Sequence, residues 1–414
     1  VRDHRFGAES GQIRPEPHRS DDHDDRVARF AALAAPEGRA LMRILAAERV
    51  TDENALRLSA RLRADHPAEL VADGLTLQRL RDRAAGKFSR AQDMVLTRDG
   101  VEQASGEAAA QHRAARLASG GPVADLCCGI GGDLLTLAAH GPVLGVDRDP
   151  LHAWMAGHNA AVYGVGERVR IEVADVRAVD LRGFDAVFVD PARRTAHGRT
   201  RDGEPPLPWC VGLAARVPRV AVKAAPGLDR TAVPEGWEAE FVAVGTDLKE
   251  AVLWSPALAG ATTRATVLAA TGRHTLLPAP GDDVAVGEPG EYLLDPNPAV
   301  TRAGLVVELA RAVGARKIDE RIAFLAVDAP VATPFARTLR VLDSGPWREK
   351  ELPARLRALD IGALDVRRRG LAGDVDVLRR RLTRVLSTGT RRATLVMTRV
   401  GDRPWALVCV DPDP

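Results

Sequence analysis

Between residues 27 and 87 the apolar positions recur at helical spacing. Phe30, Leu33, Leu41, Ile44 and Leu45 mark one stripe, Leu56, Leu58 and Leu62 a second, and Leu70 and Val71 a third behind Pro67. Thr51-Asp-Glu is expected to open the second helix, and Pro67 suits the first turn of the third. No strand pattern interrupts, so 27–87 is predicted to be a helical domain. The preceding residues, 1–26, are rich in His, Asp, Arg, Gly and Pro and predict a disordered tail, with Asp21 to Asp25 as a solvated acidic cluster rather than a metal site.

A connector follows, in which Ser105 is a candidate N-cap and Glu107 suits the helix dipole. Beyond it the pattern changes to short apolar runs alternating with helical stretches. Runs at 123–126, 143–147, 169–176, 184–189 and 219–224 each predict a strand, with 238–244 and 251–254 as a closing pair and 262–270 as a further strand. Such alternation predicts an open α/β sheet with Rossmann-like winding over 88–270. Pro, Gly and Asp crowd 271–286, a predicted linker. The last stretch, 287–414, predicts an α+β domain. Its strand at 291–297 runs into a helix at 299–312, with Asp295-Pro-Asn-Pro as the helix-opening turn. Strands at 322–328 and 336–342, helices at 350–359 and 374–386, and a hairpin turning at Gly401-Asp402 complete it.

Composition changes this picture little. The 414 residues suit about two to three domains, and a net charge of +2 announces no polyanion binder for the chain as a whole. The four cysteines, Cys127, Cys128, Cys210 and Cys409, have neither metal-ligand nor disulfide spacing, so no metal is expected. No apolar run reaches bilayer length and no signal-peptide core opens the chain, so no membrane partner and a cytoplasmic location are expected. Charge is uneven, however: residues 361–392 hold nine arginines against three aspartates. Arg367, Arg368 and Arg369 head that run, which suits either a solvated face or a phosphate-backbone binder.

The chemistry gathers at predicted strand ends. Asp125-Leu-Cys-Cys-Gly-Ile-Gly-Gly132 places three glycines between a strand and a helix, where backbone can approach a ligand closely. The dehydrogenase fingerprint is absent, because Leu134 stands where its last glycine would be. Asp125, ahead of the glycines, repels a pyrophosphate and suits a cation, such as the ammonium and sulfonium of S-adenosylmethionine. Alone, the turn also suits an ordinary strand-to-helix connection or another nucleotide. Asp147 ends the next strand about twenty residues later, where an acid takes ribose hydroxyls. Asp175 follows the third strand, and Asp190-Pro-Ala-Arg-Arg194 follows the fourth. Lys223, within an apolar strand, requires solvent or an anionic partner that sequence does not name.

These motifs resemble the class I S-adenosylmethionine-dependent methyltransferases, and the last stretch resembles a THUMP-like domain appended to a bacterial family of them. The catalytic half is similar to the guanine-N2 methyltransferases of RNA caps. The resemblance implies S-adenosylmethionine as cofactor, held by Asp125, Gly129, Gly131 and Asp133 at its amino-acid end, by Asp147 at the ribose, and by Asp175 and Val176 at the adenine, with Cys127 and Arg148 as further contacts. It implies that Asp190 and the Pro191 carbonyl orient a target amine, with Arg193 where amine methylators carry a stacking aromatic. Arg194, Arg367, Arg368 and Arg369 would contact RNA, either tRNA or rRNA. Because Ala192 and Arg193 depart from the family's Pro-aromatic pair, the target atom stays open. A covalent uridine mechanism is excluded, since its strand at 219–227 lacks the cysteine nucleophile. The expectation is methylation of an exocyclic amine of an RNA base. The alternatives are a protein or small-molecule methyltransferase, or a non-catalytic binder of cofactor and RNA.

Overall fold

A computed structural model describes residues 19–117, 119–195, 198–386 and 389–412, with side chains from residue 24 onward except at 193–202. The chain packs as two compact units. One holds the residues up to Gly106 with Cys128–Leu135 and Gly145–Val179; the other holds Glu107–Cys127, Thr136–Leu144 and the chain from Asp180 on.

The N-terminal stripes become α1 (Arg19–Ala34), α2 (Pro36–Glu48), α3 (Ala55–Leu62) and α4 (Ala68–Ala84). Leu33, Leu41, Leu45, Leu58, Leu62 and Val71 are buried as their spacing requires, whereas Ile44 and Leu56 are exposed. Because α1 begins at Arg19, the last part of the expected tail is helical; its aspartates lie near a helix N-terminus, which favours negative charge. The rest of that expected tail, 1–18, lies outside the described residues. Thr51 and Asn54 bond reciprocally, backbone N–H to side-chain oxygen, so Thr51 closes a turn and the helix starts at Ala55.

Along the chain follow α5 (Arg98–Gln103), α6 (Glu107–Leu117), β1 (Val123–Leu126), α7 (Leu134–Ala138), β2 (Val143–Asp147), α8 (Pro150–Val162), β3 (Val169–Val173) and β4 (Ala186–Val189). Then come β5 (Ala192–Thr195), β6 (Gly198–Glu204), α9 (Leu207–Gly212), β7 (Arg219–Ala224), β8 (Glu238–Val244), β9 (Asp247–Trp254), β10 (Thr263–Ala269) and β11 (Gly272–Leu276). The sheet order is β11-β10-β8-β9-β7-β4-β1-β2-β3. β1, β4 and β7 run parallel, and β9 runs antiparallel between β7 and β8. Two strands depart from expectation. β5 and β6 form a hairpin immediately after Asp190-Pro191, in a polar stretch without alternation. β11 occupies the start of the predicted linker, extending the sheet by pairing antiparallel with β10.

The remainder forms β12 (Tyr292–Pro296), α10 (Pro298–Ala303), α11 (Val306–Val313), β13 (Arg316–Lys317), β14 (Leu325–Val327), β15 (Ala336–Pro346), α12 (Leu352–Ala358), β16 (Ile361–Arg368), α13 (Val375–Val385), β17 (Arg391–Val400) and β18 (Arg403–Val410). Its sheet has the order β13-β14-β12-β15-β18-β17-β16. Leu395 and Met397 of β17 pack with Leu378 and Leu382 of α13, while Val396 packs with Leu293 and Phe324 in a separate core cluster. The expected single helix at 299–312 is two, broken at Gly304. Asn297 caps α10 by accepting from Ala299 N, and its Nδ2 donates to the Gly245 carbonyl at 2.9 Å. At the other end Arg230 Nη1 and Thr263 Oγ1 donate to the Ala303 carbonyl, at 2.8 and 3.2 Å. A side chain at Gly304, whose φ is +74°, would collide with that arginine. Among the described residues no helix is long and apolar enough to cross a membrane.

Glu238 and Glu240 on β8 and Glu250 on β9 are buried, and α6 supplies their cations. Both Nη atoms of Arg116 donate to Glu238 at 2.7 Å, with Arg264 Nε at 2.6 Å and the Gly260 N–H at 2.7 Å completing its shell. Glu240 meets His112 Nε2 at 2.8 Å and accepts from Trp254 Nε1 at 2.8 Å, Arg116 Nη1 at 3.1 Å and Thr266. Arg113 pairs with Glu250 and lies over the Phe188 ring, 5.4 Å from its centroid. Burial alone pushes the Glu240 pKa up, but the hydrogen bond and charge of His112, with Thr266 and Arg116, bring it down to about 2. Its stabilising contribution is therefore complete above the unfolded value near 4.5 and is lost as pH falls through about 2. Removing one partner of such a group strands the others. Glu240→Ala is expected to destabilise by about 3–5 kcal/mol at pH 7 in urea unfolding, and the difference from wild type should shrink as pH is lowered from 4.5 towards 2.

Candidate active site

In the first unit the glycine turn is built against the end of β2. The Cys128 N–H donates to the Val146 carbonyl at 3.0 Å and the Gly131 N–H to the Cys128 carbonyl at 2.9 Å. Gly129 and Gly131 have φ of +53° and +95°, a region that side-chain-bearing residues rarely enter, and a Cβ on Gly131 would lie 3.4 Å from the Ala156 backbone. Asp147, at the end of β2, anchors both carboxylate oxygens. Oδ2 accepts from the Gly129 N–H at 2.8 Å, and Oδ1 accepts from the Asp149 N–H at 2.9 Å. The side chain is half-buried, so its remaining lone pairs face the turn's surroundings rather than a core. Asp149 in turn caps α8 by accepting from Leu151 N, and Arg148 between them is exposed. After β3, Asp175 is exposed and accepts from the Arg177 N–H at 2.9 Å, while Val176 beside it is buried. Asp133 is buried as well.

Asn159 on α8 is a residue that sequence pattern did not single out. It is fully buried; its Oδ1 accepts from the Val95 N–H at 2.9 Å, and its Nδ2 donates to the carbonyls of Val95 at 3.1 Å and Ile130 at 3.0 Å. One side chain thus ties the connector before α5 to the glycine turn. An amide side chain among the small apolar residues of α8 was the available signal.

In the second unit, Asp125 and Asp190 come from adjacent parallel strands. Asp125 lies across from Phe188 and is 1% exposed, so it sits beneath the surface rather than on it. Cys127, two residues on, is half-buried with a φ of +64°. Asp190 follows β4, its N–H donating to the Leu126 carbonyl at 3.2 Å. The parallel register Val189↔Val222 brings the next residues together, and Lys223 Nζ lies 2.6 Å from Asp190 Oδ2. The lysine is 7% exposed and the carboxylate about a quarter exposed, so the pair presents its acid outward and encloses its cation. Lys223 thereby gains the anionic partner its apolar strand demands. Pro191 is half-buried. Arg193 and Arg194 lie on β5, and their side chains are outside the described residues.

The three arginines after β16 divide in role. Arg367 and Arg368 are exposed, Arg368 donating to the Gly373 carbonyl. Arg369 is half-buried, donating to Asp295 at 2.9 Å and the Pro296 carbonyl at 3.3 Å and lying over the Phe324 ring at 5.1 Å.

Comparison with known proteins adds to this geometry. The family of RNA cap guanine-N2 methyltransferases matches residues 121–202, a THUMP domain-like family matches 336–410, and a domain family of unknown function matches 24–84. Two proteins from two strains of Mycobacterium tuberculosis, named as uncharacterized S-adenosylmethionine-dependent methyltransferases, are each 35% identical over 342 residues, covering 78% of this chain and 91% of theirs. A crystal structure of a candidate methyltransferase from Porphyromonas gingivalis is 18% identical and superposes with a TM-score of 0.66, covering 88% of this chain and all of that one.

Replacing Asn159 by Ala removes three buried hydrogen bonds and strands their partners. We expect a loss of about 2–4 kcal/mol in denaturant unfolding, with faster hydrogen exchange at the Val95 amide. An unchanged Val95 exchange rate would show that the connector is held by other contacts.

Proposed function

The chain belongs to the S-adenosylmethionine-dependent methyltransferases, and from that premise we propose that it methylates an exocyclic amine of an RNA base, in the manner of guanine N2. The fold is the Rossmann-like sheet of class I enzymes with a helical N-terminal portion and a C-terminal THUMP-like domain. S-adenosylmethionine supplies an electrophilic methyl group on a sulfonium. The chain's features fit it: a turn with bare backbone at Gly129 and Gly131, an anchored carboxylate at Asp147, and a buried apolar Val176 beside Asp175. In this reading Asp125, Gly129, Gly131 and Asp133 hold the amino-acid end, with Cys127 as a further contact. Asp147 and Arg148 bind the ribose, and Asp175 with Val176 binds the adenine.

The observation that carries the transfer step is the Asp190–Lys223 pair. Lys223 commits Oδ2, which fixes the carboxylate's rotation and leaves Oδ1 for a substrate N–H. With the Pro191 carbonyl taking the second N–H, the amine's lone pair is aimed at the methyl carbon. As the N–C bond forms and the S–C bond breaks, the nitrogen gains positive charge, which a fixed carboxylate stabilises, and its extra proton then leaves to water. Catalysis is then positioning and charge stabilisation with no covalent enzyme intermediate. RNA as substrate is supported by the cap-methyltransferase and THUMP-like matches, and by the exposed guanidinium groups of Arg367 and Arg368. Arg193 and Arg194, which follow Pro191 in the sequence, are the proposed contacts to base or phosphate.

Labelled methyl transfer onto total RNA, total protein and metabolites, followed by nucleoside mass spectrometry, tests the substrate. Label confined to protein or metabolites would refute the RNA reading. Asp190→Ala and Lys223→Met are each expected to lower turnover by at least about 100-fold, a cost of about 2.7 kcal/mol, while calorimetric affinity for the donor stays within about threefold. Equal loss of donor binding would move Asp190 out of the transfer role. Arg367→Gln with Arg368→Gln should lower the slope of log affinity against log salt by about 2 on RNA.

A further inference from the structure

The C-terminal sheet carries a cleft that the transfer chemistry does not use. It has a volume of 520 Å³ and is lined by Arg321, Ile322, Ala323, Arg369, Gly370 and Arg399. These residues come from the segment ahead of β14, the turn just after β16 and the hairpin end of β17, so folding alone gathers the three guanidinium groups. We propose that this cleft binds a phosphomonoester, the group carried by a free nucleotide or by an RNA end.

Donor accounting supports the assignment. A guanidinium offers five N–H donors, and among the described residues the three arginines spend theirs through Nη2 alone. Arg321 Nη2 and Arg399 Nη2 both reach Asp402, and Arg369 Nη2 reaches Asp295 and the Pro296 carbonyl. Arg399 Nε is buried and lacks an acceptor among the described residues. A buried N–H without a partner is an unfavourable arrangement, so the Arg399 guanidinium is incompletely satisfied by the described residues.

The nearby carboxylates do not fill the cleft's demand. Asp319 is engaged by the backbone N–H groups of Arg321 at 2.9 Å and Asp402 at 3.0 Å, and Asp402 is shared by two arginines. A terminal phosphate offers three equivalent oxygens and up to two negative charges, enough to bridge three guanidinium groups; a carboxylate has two oxygens and one charge. The cleft is also kept open by the chain itself. Gly370 has a φ of +84°, and a Cβ there would collide with Ile322 and press to 3.4 Å on the Arg399 side chain. Its volume suits a phosphate with an attached nucleoside, and Ile322 and Ala323 give that nucleoside an apolar wall.

The test is calorimetry on the full chain with inorganic phosphate, a nucleoside 5′-monophosphate, the matching nucleoside, and one short oligoribonucleotide with either a phosphate or a hydroxyl at its end. The phosphorylated form of each pair is expected to bind at least tenfold more tightly. Arg321→Gln combined with Arg399→Met should erase that preference, as should Ala323→Glu, which leaves every arginine in place and puts a like charge in the cleft wall. Donor affinity, measured on the same samples, should not change, which separates this site from the methyl-transfer reading and reports on folding. A stronger preference with the mononucleotide identifies a free nucleotide as the source, and one with the oligonucleotide an RNA end. Equal affinity for phosphate- and hydroxyl-ended ligands, or a preference that survives in the Ala323→Glu variant, overturns the proposal.

Discussion

Three buried glutamates set the terms for the rest of the larger unit. Glu238, Glu240 and Glu250 are taken out of water by the strands that carry them, and a buried carboxylate is tolerable only if cations and donors meet it at short range. His112, Arg113 and Arg116 supply that match from one helix, so the helix has a single acceptable rotation and height on the sheet. Because that helix leads directly into the strand bearing Asp125, the same match constrains where the strand enters. Parallel pairing then passes the constraint on, through Leu126↔Val189 and Val189↔Val222, to the edge where Asp190 meets Lys223. An electrostatic requirement at the helix thus underwrites the register that brings Asp190 and Lys223 level.

The Asp190–Lys223 contact also changes what the Asp-Pro-Ala-Arg motif means. Without an aromatic residue beside it, the motif looks impoverished as an amine-binding element. A carboxylate whose rotation is fixed from behind loses less freedom on engaging a substrate than a freely turning one. In the proposed reading, rigidity from the neighbouring strand would take over part of the orienting work that a second proline and a ring perform elsewhere.

Strand ends were legible because they depend on local pattern. Apolar runs terminated by Asp147, Asp175 and Asp190, and a glycine turn after Asp125, need no long-range information to be recognised. What depended on register was not legible. Glu238 and Glu240 alternate like a solvent-facing edge, and only their distant partners on α6 reveal that they face inward. Lys223 announced a need for an anion, but naming Asp190 required knowing which residues the parallel strands bring level. The hairpin after Pro191 has no apolar alternation in its sequence, so nothing local announces its pairing. The break at Gly304 turns on a contact with Arg230, more than seventy residues away.

That small helix between Asn297 and Gly304 has a mechanical consequence. Its first turn is fastened to the Gly245 carbonyl and its last carbonyl to Arg230 and Thr263, which lie in the connections and on a strand of the large sheet. The irregular stretch between the sheets therefore does not act as a leash whose length sets their separation; the spacing is welded in at the helix. A change in the length of that stretch would therefore leave the distance between the two sheets where the helix sets it.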